Sequence, residues 1–333
     1  MDEFMKKCFT VIILLVLLNL AHAQLLPNLG GQRVGTAAAQ FLKIGVGPRA
    51  EAMGQAYVAI ANDAEALFYN PAGIAQSNQN EIFFSNTRWV VDIQLEYLGM
   101  IYHLDGSNTL GLAVTYLHTD DMEETTELYP YGTGNYFSFS DALIGLSYAR
   151  KMTDKFSFGL SVKYMQETLA ELSMRAVLFD LGTFYRTGWK SLRFAVAVTN
   201  FGGDIGPTGS FDYKNLNNEI VTRSDFQKFP PPILFRIGIA GEFYEREDHK
   251  LSGSIQLNHP NDNIENINLG LEYWWKELFA LRTGYATARA EENFSAGFGV
   301  RVPVKGMGVN VDYAFSNFGR LGYVNRFALN LQF

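Results

Sequence analysis

The sequence has little cysteine, little charge and no excess of basic residues, and each shortage removes a class of protein. One cysteine in 333 residues excludes a disulfide-linked scaffold. A disordered chain would carry more than 18% charged residues and fewer than 14% aromatic residues. Acidic residues outnumber basic ones by 34 to 27, a net charge of −7, whereas a nucleic-acid-binding protein normally has a basic surplus. The abundance of glycine, phenylalanine and tyrosine argues against a coiled coil, so a β-rich protein remains.

The first 23 residues predict a cleaved signal peptide. Two lysines precede an apolar run, 8–18, and small side chains stand at Ala21 and Ala23, the two positions that a signal peptidase reads. The run is short for a transmembrane helix, which disfavours the alternative of an uncleaved anchor. We therefore expect cleavage after Ala23 and export. Because Cys8 lies within the signal, the exported chain has no cysteine.

Beyond about residue 80, apolar and polar residues alternate in segments of about ten, the pattern of β-strands that bury one face. The last segment is typical: Phe327, Leu329, Leu331 and Phe333 alternate with small or polar residues. The pattern predicts 14 strands, an even number. They are 80–89, 92–104, 109–118, 136–150, 155–168, 173–187, 191–200, 229–243, 249–258, 264–275, 278–288, 293–301, 307–316 and 324–333.

Two all-β architectures fit such strands. A soluble sandwich or propeller would bury the large apolar side chains, whereas a membrane barrel would turn them toward lipid and keep small polar side chains in its lumen. The polar face is rich in Gly, Ala, Ser, Thr and Asn rather than in Lys and Glu, which favours the barrel. The tryptophans also stand at predicted strand ends, where a membrane places its aromatic girdle. They are Trp89, Trp189, Trp274 and Trp275.

The lengths of the connections support the same choice. If the chain enters the barrel from the periplasm, connections after odd-numbered strands face outward. The two long connections, 119–135 and 201–228, follow the third and seventh strands, and the connections after even-numbered strands are short. Outer-membrane barrels have short periplasmic turns and long outer loops. We therefore expect 80–333 to form a transmembrane antiparallel β-barrel of about 14 strands in the bacterial outer membrane, in contact with its lipid.

Residues 24–79 do not alternate and are rich in alanine and glycine. The pattern predicts a short helix over Asp63–Tyr69, capped by Asn62 or Asp63 and ended by Asn70-Pro71. A ring of 14 strands leaves a substantial hole, which a compact segment of small residues would close. We interpret 24–79 as a luminal plug; the alternative is a periplasmic extension beneath the barrel.

This segment also carries the most specific motif of the chain. Its pattern resembles the N-terminal signature of the PorV/PorQ family, a branch of the FadL-like outer-membrane proteins. We call the residues that carry the resemblance the plug motif and expect it to have a structural or a gating role. They are Pro48, Arg49, Met53, Gly54, Asp63, Asn70, Pro71 and Gly73. The C-terminal Phe327, Leu329, Leu331 and Phe333 resemble the signal that the barrel-insertion machinery reads.

The resemblance implies a 14-stranded barrel with an N-terminal hatch and a part in type IX protein secretion. In that role the protein would hold or hand over secreted proteins at the cell surface, with other secretion components and secreted cargo as partners. A FadL-like transporter of hydrophobic small molecules is the second hypothesis, and a purely structural surface barrel is the third.

No catalytic or metal-ligating constellation stands out, so we expect no enzymatic activity, no cofactor and no nucleic-acid partner. His118, near Asp120 and Asp121, is the nearest approach to a catalytic set, and we interpret it as a solvated loop histidine. The acidic loop 119–135 suits a divalent cation or a basic partner, or is simply solvated. The glycine-rich loop 201–228 is long enough to cover the barrel mouth or grip a partner.

The plug itself contains charged residues in a confined space. We expect Arg49, Glu51, Asp63 and Glu65 to pair with luminal arginines and latch the plug, or alternatively to contact a gated substrate. The candidate luminal partners are Arg193, Arg301 and Arg326.

Overall fold

The computed structural model describes residues 34–127, 129–214, 219–288, 292–304 and 306–333. The predicted signal peptide, 1–23, and residues 24–33 of the predicted plug lie outside the described residues. The division into 1–23, 24–79 and 80–333 stays a prediction. Within the described ranges, no helix is both long and apolar enough to cross a membrane.

Fourteen strands form a closed antiparallel barrel, which confirms the predicted fold class. Each strand pairs with its neighbours in the chain, and the last strand closes the ring on the first, with Glu81 opposite Gln332. The barrel strands, β1–β14, are Glu81–Arg88, Gln94–His103, Asn108–His118, Phe139–Lys151, Phe156–Leu169, Leu172–Arg186, Arg193–Gly202, Leu234–Arg246, His249–Pro260, Asn266–Trp275, Phe279–Ala286, Phe294–Val304, Met307–Asn317 and Tyr323–Gln332.

The predicted strands all have an observed counterpart, with shifts at their ends. The largest shift is at β8, which was expected from residue 229 and begins at Leu234. Pro230, Pro231 and Pro232 explain the difference, because proline has no N–H to donate to a strand ladder.

The barrel wall turns its large apolar side chains outward. In β5, Phe158, Leu160 and Val162 are exposed, whereas the alternate residues Ser157 and Ser161 are buried. Closure of the ring pairs the backbone polar groups of each strand, the condition for placing strands in hydrocarbon. The outer surface is therefore an apolar band, and the lumen is lined by small and polar side chains.

The connections divide the barrel into two different ends. The end where β1 begins and β14 finishes, here the inner end, has short connections: 104–107, 152–155, 187–192, 247–248, 276–278 and 305–306. The opposite, outer end has the two long connections, 119–138 and 203–233. Each holds a two-stranded ribbon, Met122–Glu123 with Tyr136–Phe137 and Phe211–Lys214 with Ile220–Arg223. Short 3₁₀ turns at Val90–Asp92 and Gly319–Leu321 lie at the outer end as well.

The described part of the segment before β1, residues 34–80, packs against the luminal side of the strands and is called the plug below. It contains two short α-helices, α1 (Pro48–Ala52) and α2 (Ala66–Tyr69), and 3₁₀ turns at Gln40–Lys43 and Pro71–Gln76. Helix α2 is shorter than the predicted Asp63–Tyr69, although the Asp63 carboxylate accepts a hydrogen bond from the Glu65 N–H at 3.1 Å. The helix ends at Tyr69, directly before Asn70-Pro71, as expected.

Luminal glycines of the wall make room for the plug. A Cβ atom at Gly284 of β11 would lie 2.0 Å from the Gly54 nitrogen, and one at Gly159 of β5 would lie 2.3 Å from the Ala72 nitrogen. A Cβ atom at Gly238 of β8 would lie 2.4 Å from a Val58 methyl group. These strands stand on different sides of the ring. The plug therefore contacts the wall around the lumen, and larger side chains at these wall positions would collide with it.

Candidate functional site

The guanidinium of Arg49 is the centre of the plug's attachment to the wall. Its Nε and Nη2 atoms donate to the two carboxylate oxygens of Glu272 on β10, each at 2.8 Å. Its Nη1 atom donates to the Asp63 carboxylate at 2.7 Å, and the Tyr57 hydroxyl donates to the same Asp63 oxygen at 2.7 Å. The fork geometry of arginine suits this bidentate contact. Arg49 thus joins two parts of the plug to one another and to the wall.

The charge pairing continues along the wall from Glu272. Arg282 of β11 donates from its Nε atom to Glu272 at 2.7 Å, and its Nη1 atom donates to Asp312 of β13. All three side chains are almost fully buried. Removal of either arginine would leave a carboxylate buried without compensation, which is costly. Positive and negative side chains therefore alternate from Arg49 of the plug to β10, β11 and β13 of the wall.

A second ion pair attaches α1 on the β14 side. The Arg326 Nη2 atom lies 3.0 Å from the Glu51 carboxylate, and both side chains are fully buried. Glu51 also accepts hydrogen bonds from the Tyr69 hydroxyl at 3.1 Å and the Gln55 amide at 2.8 Å. Two separate ion pairs thus hold the same short helix.

Of the three candidate luminal arginines, Arg326 pairs with an acid of the plug, as predicted. Arg193 pairs with Glu242 of β8 at 2.7 Å and donates to the Ala59 carbonyl of the plug. Arg301 donates to Asn310 and stacks on the Trp274 ring.

Glu65 has a different role from the one expected. Its carboxylate accepts hydrogen bonds from the backbone N–H groups of Arg49 and Ala50 at 3.1 and 2.9 Å, so it caps the start of α1. The sequence analysis did not identify Glu272 and Asp312 as partners of the plug. The signal that could have identified them is a carboxylate on a strand face otherwise made of small residues.

Uncharged side chains attach the rest of the plug. The fully buried Asn70 donates from its amide to the Val58 carbonyl at 3.0 Å and to the Thr183 carbonyl of β6 at 3.2 Å. The Gln256 side chain of β9 accepts hydrogen bonds from the Tyr57 and Val58 N–H groups at 3.0 and 2.8 Å. The irregular backbone of the plug therefore finds part of its hydrogen bonding in the wall.

The remaining motif residues shape the plug backbone. Pro48 and Pro71 occupy the first positions of α1 and of the following 3₁₀ turn, where a missing N–H is tolerated. Gly54 has a φ of +62°, and its N–H donates to the Ser295 hydroxyl at 3.1 Å. A Cβ atom at Gly73 would lie 2.8 Å from the Ala61 carbonyl oxygen. Met53 is fully buried against Gly270 of β10.

The plug leaves a cavity of about 650 Å³ at the inner end of the lumen. Charged side chains of both signs line it, including Arg186, Arg193, Glu242, Lys250 and Glu277. Arg49 and Asp63 form part of its roof. This cavity is polar, and the charges nearest the plug are paired.

A second cavity, of about 780 Å³, lies at the outer end and is mostly apolar. Residues 37–41 and Ile44 of the plug line it, together with Ile205, Pro207, Phe226 and Phe229 from the connection 203–233. Its lining includes Phe41, Trp89, Leu117, Phe139, Met174 and Phe229, together with the two carboxylic acids Asp141 and Glu167. The plug thus separates a polar inner cavity from an apolar outer one.

His118 is the last residue of β3, so the interpretation as a loop histidine was wrong. The His118 Nε2 atom lies 3.5 Å from the Glu96 carboxylate and its ring stacks on Tyr116, so its neighbours are on the barrel rather than Asp120 and Asp121. In the connection 119–138, hydrogen bonds from the Asn135 amide and the Thr133 hydroxyl hold the pKa of Glu124 below its usual value.

The side chains of the predicted C-terminal signal lie on the outward register of β14. Phe327, Leu329 and Phe333 are exposed, and Leu331 is half-buried. The Phe333 N–H and carbonyl pair with Asn80, which fastens the end of the chain to the start of β1.

Comparison with known proteins places the chain among outer-membrane barrels. The sequence model of the family described as "Type IX secretion system protein PorV" matches residues 28–259. No curated protein matches the chain.

Solved structures show the same fold at low sequence identity. The CymD monoaromatic hydrocarbon channel is 14% identical with a TM-score of 0.59, and the match covers 86% of this chain and 96% of that one. The Pseudomonas putida toluene transporter TodX is 14% identical with a TM-score of 0.59, covering 91% and 98%. A Pseudomonas aeruginosa FadL homologue is 12% identical with a TM-score of 0.57, covering 86% and 98%. At these identities the likeness concerns the fold alone.

Proposed function

This chain belongs to the PorV family and is an outer-membrane β-barrel, and we propose that it is a component or accessory of type IX protein secretion. In this role it binds secreted proteins, or hands them over, at the cell surface. The role requires no catalytic step and no cofactor. The observation that carries the proposal is the family match, which includes the plug and the wall as far as β9.

The shape of the outer end supports contact with another protein. The connection 119–138 presents three exposed tyrosines, Tyr129, Tyr131 and Tyr136, of which Tyr131 is 97% exposed. Tyrosine is enriched where proteins bind one another because it offers a large apolar surface and a polar tip. The plugged lumen supports the same role. An obstructed pore is expected of a protein that binds others at the surface, whereas a channel through which proteins pass needs an open pore.

Deletion of the gene, followed by measurement of the secreted proteome, tests the proposal. We expect type IX cargo to disappear from the medium and cell surface and to accumulate inside the cell. Unchanged secretion in the deletion strain would contradict the proposal.

A triple substitution of Tyr129, Tyr131 and Tyr136 by serine tests the role of the outer surface separately. We expect cargo secretion to fall with the abundance of the barrel unchanged, and the matched triple substitution by phenylalanine to retain most secretion. If the serine variant secretes normally while the deletion does not, the tyrosine surface is the wrong site and the secretion role stands.

We also propose that the plug motif keeps the lumen closed and acts as the gate. Pro48, Arg49, Met53, Gly54, Asp63, Asn70, Pro71 and Gly73 would hold the closed position through the contacts described above. Displacement of the plug would then require the ion pairs of Arg49 and Glu51 to open.

The C-terminal residues Phe327, Leu329, Leu331 and Phe333 are proposed as the signal for the barrel-insertion machinery. A Phe333→Ala variant should then reach the outer membrane in smaller amounts. Its unfolding midpoint should be almost unchanged, because Phe333 is half exposed in the folded barrel.

Passage of hydrophobic small molecules is the second candidate function. The apolar outer cavity favours it, since its volume suits a small ligand. Under this alternative, the deletion strain would lose uptake of a hydrophobic substrate such as toluene while secretion stayed intact.

A further inference from the structure

Two carboxylic acids line the apolar outer cavity, and none of the described lining residues is a lysine or an arginine. Asp141 of β4 and Glu167 of β5 are direct cross-strand partners, and both side chains face the lumen. Partners of this kind have Cβ atoms about 4.5–5.5 Å apart. Within the described part of the chain, neither carboxylate takes part in a hydrogen bond or an ion pair.

Asp141 is the more unusual of the two, because it is only 1% exposed. Its Oδ1 atom is buried and has no hydrogen-bond partner. A buried polar atom normally has a partner, because the loss of hydration is otherwise uncompensated. Asp141 is also a lining residue of the outer cavity, so a cationic group bound there would supply the partner that this side chain lacks.

The nearby lysines of the lumen already have partners. Lys43, one residue before the lining residue Ile44, pairs with Asp262 at 2.9 Å, and Lys163 of β5 pairs with Asp180 at 2.7 Å. The missing positive charge must therefore come from outside this set of residues.

The rest of the lining indicates the chemistry of the remainder of a ligand. Phe41, Trp89, Phe139, Phe226 and Phe229 contribute aromatic rings, which bury hydrocarbon and attract cations to their faces. The volume of about 780 Å³ lies in the range of pockets for small organic ligands. A divalent metal ion fits less well, since no third candidate ligand stands beside the two acids in the described residues and the apolar lining suits its remaining water ligands poorly.

We propose that the outer cavity binds a small cationic amphiphile, with an ammonium head between Asp141 and Glu167 and a hydrocarbon tail against the aromatic rings. The ammonium group satisfies the orphaned Asp141 oxygen and neutralises the carboxylate pair. The cavity thereby selects against fatty acids and other anionic amphiphiles, whose head groups the two carboxylates repel. This inference goes beyond the secretion role and does not depend on it.

The test compares three probes with the same eight-carbon tail. Octylammonium, octanoate and 1-octanol are titrated by calorimetry into the whole exported chain in neutral maltoside micelles, with protein-free micelles as the blank. We expect saturable binding of octylammonium at one site per chain, about tenfold or more tighter than 1-octanol, and weaker binding of octanoate. No saturable site, or octanoate binding as tightly as octylammonium, would overturn the proposal.

Variants locate the site. The double variant Asp141→Asn, Glu167→Gln should bind octylammonium only as tightly as 1-octanol. The matched control Asp121→Asn, Glu127→Gln removes the same charge from the exposed loop and should bind as the unmodified protein does. Unchanged octylammonium affinity in the first variant would overturn the assignment. Should the double variant fail to fold, the two single variants and the probe preference of the unmodified protein still decide the outcome.

Discussion

The two cavities of the lumen differ in how their charges are compensated. At the inner end, Arg49, Glu272, Arg282 and Asp312 form an alternating series in which each charge meets its opposite. At the outer end, Asp141 and Glu167 line an apolar cavity to which the described part of the chain contributes no cation. The inner charges pair with one another and attach the plug to the wall. The outer carboxylates are those that we propose to bind a cationic ligand.

The largest expected effect comes from breaking the inner series. Glu272→Gln removes the carboxylate that Arg49 and Arg282 share and leaves both guanidinium groups undercompensated in a buried site. We expect the free energy of unfolding to fall by about 3–5 kcal/mol. Urea unfolding of the barrel in lipid vesicles measures it.

Glu245→Gln is the matched control, since Glu245 lines the same cavity but is exposed, and its carboxylate lies 3.7 Å from the half-buried Lys250. It should change the free energy by about 0–1 kcal/mol. Equal decreases in the free energy of unfolding of the two variants would show that the ion pairs of Arg49 and Arg282 with Glu272 do not stabilise the barrel.

A smaller effect is expected from crowding the plug without touching its charges. A Cβ atom at Gly284 would lie 2.0 Å from the Gly54 nitrogen, so Gly284→Ala must displace the plug or the wall. Overpacking of this kind costs about 1–3 kcal/mol. We expect higher single-molecule conductance in planar bilayers as the plug loosens.

Gly106→Ala serves as the control, because a Cβ atom there meets no atom within 4 Å. An unchanged conductance for Gly284→Ala would argue that the plug is seated elsewhere.

The smallest effect, and one of opposite sign, is expected at the outer cavity. Asp141→Asn removes a buried carboxylate with no counter-charge, so it should leave the unfolding free energy unchanged or raise it by about 1 kcal/mol. The same urea titration measures the change. A loss comparable to that of Glu272→Gln would mean that Asp141 has a stabilising partner, and the distinction between the cavities would be wrong.

The sequence predicts the wall far better than the lumen. A period of two places Phe158 and Leu160 outside and Ser157 and Ser161 inside, because lipid imposes one rule on every strand. The plug follows no such period, so its motif predicts its presence but not its contacts. Glu272 lies more than 200 residues from Arg49, and only the closed ring brings them together.

The boundaries and pairings that the sequence missed have local causes. Three consecutive prolines delay β8 to Leu234, and Glu65 turns to the N–H groups of α1 instead of to an arginine. The orphaned Asp141 oxygen is equally invisible in the sequence, since Asp141 reads as one more polar residue on the luminal face.

Cross-linking of the plug to opposite sides of the wall tests the central claim most directly. A Cβ atom at Gly99 of β2 would lie 3.4 Å from the Ala64 Cβ, and one at Gly238 of β8 would lie 3.4 Å from the Ala59 Cβ. Both distances are close to those in disulfides. Every variant with Gly238→Cys also carries Val58→Ala, which removes the methyl group that a Cβ atom at position 238 would meet at 2.4 Å. We predict that the pairs Ala64→Cys, Gly99→Cys and Ala59→Cys, Gly238→Cys each form a disulfide in intact cells, while the mixed pair Ala64→Cys, Gly238→Cys stays reduced. Failure of both matched pairs in a correctly inserted barrel would contradict a plug seated inside the lumen.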